Sequence, residues 1–288
     1  MNRVQKSILV GGLALIVSVL PSFALDPAAD EAAKMHAAHQ HEAPAPTPAA
    51  EAAPKIPVSG VDVVYATLGG KPVKGYLAAP RGVAPAHPLP GIIVIHEWWG
   101  LNDNVRSMAR RLAGEGYVAL AVDLYAGASA TDGDAAQKLM QGVLKDTDTA
   151  TANLKAAYEF LETQQKAPKI GVVGWCFGGG WSLATALALP DKIDATAIYY
   201  GRLVQDPEKL KPLQMPIIGF FGGLDTGISP ADISSFETTL RSLGKTVTTK
   251  TYPDAKHGFA NSSGQAYNAA AAEDAWKLTV AFFAKNLK

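Results

Sequence analysis

Residues Lys169 to Ser182 read KIGVVGWCFGGGWS, and this stretch is the most informative part of the sequence about the fold. The apolar run Ile170 to Val173 predicts a short strand, and the glycines around Cys176 predict a tight turn into a helix. Gly174 and Gly178 lie two residues on either side of Cys176, which lets the backbone close without a Cβ clash. This pattern is typical of a nucleophile elbow, in which a side chain projects from a strained strand-to-helix turn. A buried structural cysteine beside an ordinary glycine turn is the alternative interpretation.

The sequence around this stretch, over residues 58–288, predicts a single α/β domain. Strands alternate with helices, and several strands are continuous apolar runs, which favours a mostly parallel central sheet with helices on both faces. The first two strands alternate polar and apolar residues across a Gly69-Gly70 turn, which indicates an antiparallel hairpin. The predicted strands are Val61 to Thr67, Val73 to Ala79, Gly91 to His96, Tyr117 to Leu124, Ile170 to Val173, Asp194 to Tyr200, Pro216 to Phe221 and Thr246 to Tyr252. Apart from the helix behind Cys176, the predicted helices are Asp103 to Glu115, Gly133 to Lys145, Thr147 to Gln165, Pro230 to Leu243 and Tyr267 to Asn286.

Reactive side chains follow several of the predicted strands at their carboxyl ends, where an open parallel sheet places its chemistry. Glu97 follows one strand, Asp225 another and His257 a third. The chain order of Cys176, Asp225 and His257 is nucleophile, acid, histidine, which is the order of the triad in the α/β-hydrolase fold. In such a triad the histidine moves the proton and the acid holds its tautomer. Asp123 also ends a strand and is a rival acid, but it precedes the nucleophile.

Five segments of the sequence resemble the dienelactone hydrolase family, a part of the α/β-hydrolase superfamily that includes carboxymethylenebutenolidases. The segments are HEWWGLNDNVR from His96, YVALAVDLYAG from Tyr117, GWCFGG from Gly174, GGLD from Gly222 and HGF from His257. The resemblance covers the whole predicted domain and implies that Cys176 is the nucleophile, Asp225 the acid and His257 the base. It also implies that Glu97 contacts the resting thiol, and that the backbone N–H groups of Trp98 and Phe177 form the oxyanion hole. The implied activity is hydrolysis of small esters or lactones through an acyl-thioester, with no metal or organic cofactor.

The sequence departs from the family where the substrate would bind. Family members hold a substrate carboxylate with two arginines, and at those two positions this chain has Gly127 and Asn261. Bidentate recognition of a carboxylate is therefore not expected from these positions. Candidate substrate-binding residues are Trp99, Tyr125 and Asn261.

The residues before the domain are expected to be a signal peptide and a spacer. Residues 1–24 combine Arg3 and Lys6 with an apolar run and small residues before a cleavage point after Ala24, which predicts export to the periplasm or medium. Residues 25–57 are rich in Ala, Pro, Glu and His and predict a disordered linker. Its histidines, His36, His39 and His41, could bind a metal, although a solvated linker is the favoured interpretation.

Charge and cysteine content restrict the partners. Removal of residues 1–24 leaves 24 basic and 26 acidic side chains, because Arg3 and Lys6 are the only charged residues removed. This balance gives no reason to expect a nucleic acid or a membrane as a partner after cleavage, and we expect a monomer that binds only a small substrate.

The one cysteine allows no internal disulfide. A thiol redox or sensor protein and a non-catalytic binding protein on the same scaffold are the alternative functions. The missing second cysteine disfavours the first, and the aligned acid and histidine disfavour the second.

Overall fold

The computed structural model describes residues 33, 35–37, 39, 53–82 and 88–288, and within them one sheet of eight strands organises the chain. The spatial order of the strands is β1-β2-β4-β3-β5-β6-β7-β8. Strands β1, β2 and β4 pair antiparallel, and all pairs from β4 through β3 to β8 are parallel. The strands are β1 (Val58–Leu68), β2 (Lys71–Pro80), β3 (Gly91–Ile95), β4 (Val118–Val122), β5 (Ile170–Trp175), β6 (Ala195–Tyr199), β7 (Ile217–Gly222) and β8 (Val247–Tyr252).

Helices cover both faces of this sheet, as predicted. The helices are α1 (Asp103–Gly114), α2 (Gly133–Lys145), α3 (Thr147–Thr163), α4 (Phe177–Ala188), α5 (Pro207–Leu210), α6 (Pro230–Ser242) and α7 (Ala269–Leu287). Gly91 and Ile170 are register partners, and a Cβ on Gly91 would contact Leu161 of α3. The next residue of β5, Gly171, points the other way, and a Cβ there would contact Phe283 of α7. Since neighbouring residues of a strand face opposite sides, α3 and α7 lie on opposite faces.

The central strands are buried along their whole length. Every residue of β3, β4, β5, β6 and β7 is buried, which is the burial expected of parallel strands covered on both faces. Side chains that form a site must therefore come from the loops that follow the carboxyl ends of these strands. The predicted α/β-hydrolase architecture is confirmed at this level.

The hairpin at the edge of the sheet is also confirmed. Gly69 and Gly70 form its turn with φ of 53° and 76°, a conformation that glycine adopts without strain. The register of β1 against β2 shifts between Val64 and Ala66, which is a bulge. Val64 is exposed on this edge, and Arg106 of α1 reaches the edge strand with a 2.5 Å ion pair to Asp62.

The bounds of most elements differ from prediction by one to three residues, which is ordinary for helix and strand ends. The short helix α5 was not predicted, because four residues carry no periodicity to detect. The predicted signal peptide lies outside the described residues, as does most of the predicted linker. Of that linker, Ala33, Met35, His36, Ala37 and His39 are described in helical conformation. Among the described helices, none combines the length and apolar character needed to cross a membrane.

Candidate active site

Cys176 lies on the predicted elbow between β5 and α4. Its backbone has φ 56° and ψ −120°, a strained conformation for a residue with a side chain. A Cβ on Gly174 would lie 2.1 Å from the carbonyl oxygen of Gly178, and one on Gly178 would lie 2.4 Å from that of Ile95. Only glycine therefore permits this close turn at both positions. The turn leaves Cys176 at the N-terminus of α4 with 3% of its surface exposed.

Asp225 and His257 meet beside this elbow. Asp225 follows β7 and His257 follows β8, and Nδ1 of His257 lies 2.7 Å from Oδ2 of Asp225. The other oxygen, Oδ1, accepts the N–H groups of Gly227 at 2.8 Å and Ile228 at 3.3 Å. Burial alone would raise the pKa of Asp225, but His257 and the two N–H groups lower it below 3.8. Asp225 is therefore a fixed anion that orients the imidazole.

Cys176 and His257 influence each other's protonation strongly. Burial alone would raise the pKa of Cys176, but the positive charges of His257 and His39 lower it from 9.0 to about 6. Burial alone would likewise lower the pKa of His257, but the Cys176 thiolate and Asp225 raise it well above 6.5. Both directions favour a thiolate and an imidazolium at neutral pH.

Glu97 lines the same cavity as Cys176 and is held by two side chains. The Tyr200 hydroxyl donates to Oε1 at 3.3 Å, and the Asn261 amide donates to Oε2. Burial first, and the nearby Cys176 charge second, raise the pKa of Glu97 from 4.5 to about 8. A proton on Glu97 and a negative charge on Cys176 therefore favour each other.

The loop that carries Glu97 and Trp98 is fixed by His96. Its Nδ1 lies 2.5 Å from the carbonyl oxygen of Glu97, and its Nε2 lies 3.1 Å from the backbone nitrogen of Leu124. Because Nε2 accepts the Leu124 N–H, the neutral ring donates from Nδ1, and burial lowers the pKa of His96 accordingly. Tyr125, in the turn after β4, donates its hydroxyl to the Trp98 carbonyl at 3.1 Å and fixes the same loop.

The two residues whose N–H groups the family resemblance assigns to the oxyanion hole are close to Cys176, since Trp98 lines the same cavity and Phe177 follows Cys176 in the chain. Phe177 is the first residue of α4, so its N–H belongs to the first turn, which has no intrahelical acceptor. Among the described residues, the N–H of Trp98 donates to no backbone acceptor. The assignment of these groups to an oxyanion stays a prediction that this arrangement permits.

The candidate substrate-binding residues have different surroundings. Trp99 is buried and lines the cavity beside Cys176. The amide of Asn261 is occupied within the protein, because Oδ1 accepts the Ser263 N–H at 2.8 Å while the nitrogen donates to Glu97. Contact of Trp99, Tyr125 and Asn261 with substrate stays a prediction. The rival acid Asp123 accepts the N–H groups of Tyr125 at 2.8 Å and Gly127 at 2.5 Å, which gives it a structural role.

Met35 and His39 reach the site from the N-terminal segment, a position that was not predicted from the sequence. Met35 Sδ lies 3.3 Å from Cys176 Sγ. His39 is 5% exposed, so it is not solvated as expected, and its ring centroid lies 5.3 Å from those of both Trp98 and His257. With these residues in place the cavity over Cys176 measures ≈ 10 Å³, about enough for one water. Their spacing of four residues, which puts both on one side of a helix, was the available signal.

Tyr200 is a further site residue, and from the sequence it was predicted only as the end of a strand. It follows β6 with φ 35°, a rare conformation for a tyrosine, and it is fully buried. Its hydroxyl reaches Glu97, and its ring centroid lies 5.1 Å from that of His257. One strand-end tyrosine in a sequence carries no signal for such a contact.

Known proteins are similar to this chain in sequence and in fold. The profile of the Dienelactone hydrolase family matches residues 73–287. "Protein usf" of Aquifex pyrophilus is 36% identical over 225 residues, covering 76% of this chain and 95% of its own. A Saccharolobus solfataricus protein named "Putative carboxymethylenebutenolidase" is 32% identical over 258 residues, covering 77% of this chain and 96% of its own. The crystal structure of a dienelactone hydrolase-like promiscuous phosphotriesterase from metagenomic libraries has the same fold, with a TM-score of 0.72 and 24% identity over 80% of this chain and 99% of that one. The chain therefore belongs to the dienelactone hydrolase family.

Proposed function

We propose that this protein hydrolyses small esters or lactones through an acyl-thioester on Cys176. The observation that carries the proposal is the 2.7 Å contact of His257 with Asp225, beside a thiol on a strained elbow. The sulfur of Cys176 and a ring nitrogen of His257 lie within 4.8 Å of each other, a separation that a small movement would convert into a short hydrogen bond. Family membership supports a hydrolase, and the geometry supports cysteine as its nucleophile.

The reaction begins from a thiolate and an imidazolium. The Cys176 sulfur attacks the carbonyl carbon, and the carbonyl oxygen becomes an oxyanion beside the N–H groups of Trp98 and Phe177. Collapse of this intermediate breaks the carbon–oxygen bond, and the imidazolium of His257 gives its proton to the departing alkoxide. A water then attacks the thioester while neutral His257 takes its proton. The acid leaves, and the thiolate and imidazolium are restored.

Glu97 has a separate part in this proposal: before attack it accepts and then holds the proton that Cys176 loses, so that the reaction begins from the thiolate. Its raised pKa of about 8 supports this, because a buried carboxyl of that kind holds a proton at neutral pH. Tyr200 and Asn261 would keep it in place before and after the transfer.

Substrate would reach Cys176 only after the N-terminal segment moves away. Met35 and His39 cover the thiol, and the cavity of ≈ 10 Å³ is too small for an ester. The proposed catalytic state is therefore one in which these two side chains have left the site. We also propose that the chain works outside the cytoplasm, which rests on the signal-like residues 1–24.

The test is turnover by the full mature chain and by Cys176→Ala, with aryl esters and cyclic enol lactones as substrates. We expect the variant to lose at least about 10³-fold in kcat/KM, because the covalent route is closed. A lactone carboxylate and its methyl ester, compared in the same assay, show whether a cation replaces the missing family arginines. Wild-type turnover by Cys176→Ala, with an unchanged thermal midpoint, would disprove the nucleophile assignment.

A further inference from the structure

The N-terminal segment brings a sulfur and an imidazole onto the catalytic residues. Met35 and His39 are four residues apart in helical conformation, so both project from the same side. Met35 Sδ lies 3.3 Å from Cys176 Sγ, and the His39 ring lies against those of Trp98 and His257. His36 points elsewhere, and its Nε2 lies 2.8 Å from the Asp134 carboxylate of α2.

Three of these side chains bring possible metal-ligand atoms close together. The ligating atoms of His39, Cys176 and His257 all lie within 4.8 Å of one another. In a tetrahedral site with metal–nitrogen and metal–sulfur bonds of about 2.0–2.3 Å, ligand atoms lie about 3.3–3.8 Å apart. The ligand atoms would have to move closer together on binding, and the sulfurs of Met35 and Cys176 are already at such a distance.

His257 is oriented as metal-binding histidines usually are. Its Nδ1 is held by the Asp225 carboxylate at 2.7 Å, an arrangement that fixes the tautomer and the ring of a ligating histidine. Its other nitrogen, Nε2, is buried, and the group that it interacts with is Cys176. A metal ion bound to both atoms would replace that interaction.

The types of donor select the metal. The four donors are a thiolate, a thioether and two imidazoles, with no carboxylate among them. Magnesium, calcium and manganese prefer oxygen, whereas thiolate and thioether donors favour Cu(I). Zinc takes cysteine, histidine and carboxylate ligands, but a methionine sulfur is not among its usual donors.

We propose that Met35, His39, Cys176 and His257 form a copper(I) site. On binding, copper bonds to the Cys176 thiolate and to Nε2 of His257, and the imidazolium proton of His257 is released to solvent, with no change in oxidation state. Because the site uses both Cys176 and His257, copper occupancy and ester hydrolysis exclude each other. The N-terminal segment therefore completes a metal site when closed and frees the nucleophile when open.

The test is an anaerobic titration of the full mature chain with Cu(I) in competition with a chromogenic Cu(I) chelator. We expect one tightly bound Cu(I) per chain. His39→Ala and Met35→Ala should each weaken binding at least tenfold, and Cys176→Ala should abolish it. The matched control is His36→Ala on the same segment. We expect it to stay within about twofold of wild type, since its exposed ion pair with Asp134 contributes little.

Three results would overturn the proposal: wild-type affinity in both His39→Ala and Met35→Ala, binding that survives in Cys176→Ala, or tighter binding of Zn(II) than of Cu(I). Circular dichroism of each variant shows whether it is folded. The titration measures bound copper and needs no turnover, so it stands or fails independently of the proposed hydrolase activity. In an active preparation, Cu(I) should also inhibit hydrolysis, and less strongly in His39→Ala.

Discussion

Helices α6 and α4 begin in contrasting ways. At α6 the Ser229 hydroxyl accepts the Asp232 N–H at 3.1 Å, and the Asp232 carboxylate accepts the Ser229 N–H at 3.1 Å. This capping box satisfies the free N–H groups of the first turn. At α4 the same position is Cys176, and its side chain makes no cap hydrogen bond.

The other described helices follow α6. Each begins with a side-chain acceptor for a first-turn N–H, supplied by Asn102, Asp132, Asp146, Asp206 and Asn268. Among the described helices, α4 alone lacks such a cap, and it is also the one that starts in a strained conformation. An uncapped helix start leaves its N–H groups and its positive dipole end available to an anion. Among the described helices, the one start without this local stabilisation is therefore the start that carries the proposed nucleophile.

We expect the largest effect on the ionisation of the Cys176 thiol at the uncapped start of α4. Cys176 has a pKa lowered from 9.0 to about 6, so its thiolate absorbance in the ultraviolet should rise around pH 6 in the folded chain. In the unfolded chain the midpoint of the thiol titration should lie at about pH 8.5. His257→Gln should move the folded midpoint upward by at least about one pH unit, because the largest attraction is lost. A folded midpoint near that of a free thiol would show that the uncapped start does not stabilise an anion.

A second prediction compares two glycines inside helices. Gly178→Ala in α4 places a Cβ 2.4 Å from the Ile95 carbonyl oxygen, so it should lower the free energy of unfolding by about 2–3 kcal/mol. Gly142→Ala in α2 meets nothing within 4 Å and should raise the free energy of unfolding by up to ~1 kcal/mol. Denaturant unfolding of both variants measures the contrast. Equal effects would mean that the elbow is not sterically tight.

The elbow was predictable because its requirements are local. Gly174 and Gly178 stand in fixed sequence positions around Cys176, and buried apolar runs mark the strands, so both fold and elbow follow from neighbouring residues. The pairing of Asp225 with His257 was predictable only because parallel strand ends meet at one edge. Contacts from distant segments were not predictable in this way. Tyr200 reaches the site through packing that leaves no pattern in the sequence, and the spacing of Met35 and His39 indicates one side of a helix but not what that side contacts.

A third prediction tests Glu97 beside the uncapped start. Glu97→Gln keeps the shape and hydrogen bonding of the side chain but cannot take a proton. Acylation by an activated ester should slow at least about tenfold, measured by stopped flow so that deacylation is separate. Circular dichroism provides the control for folding. Acylation at the wild-type rate would remove Glu97 from the mechanism and leave the other three residues to act alone.

The smallest expected effect is at the capped helix. Ser229→Ala removes the acceptor for the Asp232 N–H and should lower the free energy of unfolding by about 1 kcal/mol. It should leave kcat/KM unchanged, because the Ser229 hydroxyl hydrogen-bonds to Asp232 and not to Asp225 or His257. A fall in kcat/KM without a change in stability would contradict the separation between structural and functional helix starts.

The bulge in β1 has a consequence for self-association. An outer strand with exposed valines, such as Val61 and Val64, offers unpaired backbone groups on which the strand of a second molecule could align. The register shift between Val64 and Ala66 interrupts that template, and the ion pair of Asp62 with Arg106 adds polar atoms to the same edge. Both features disfavour intermolecular strand pairing at the edge that this long antiparallel hairpin forms.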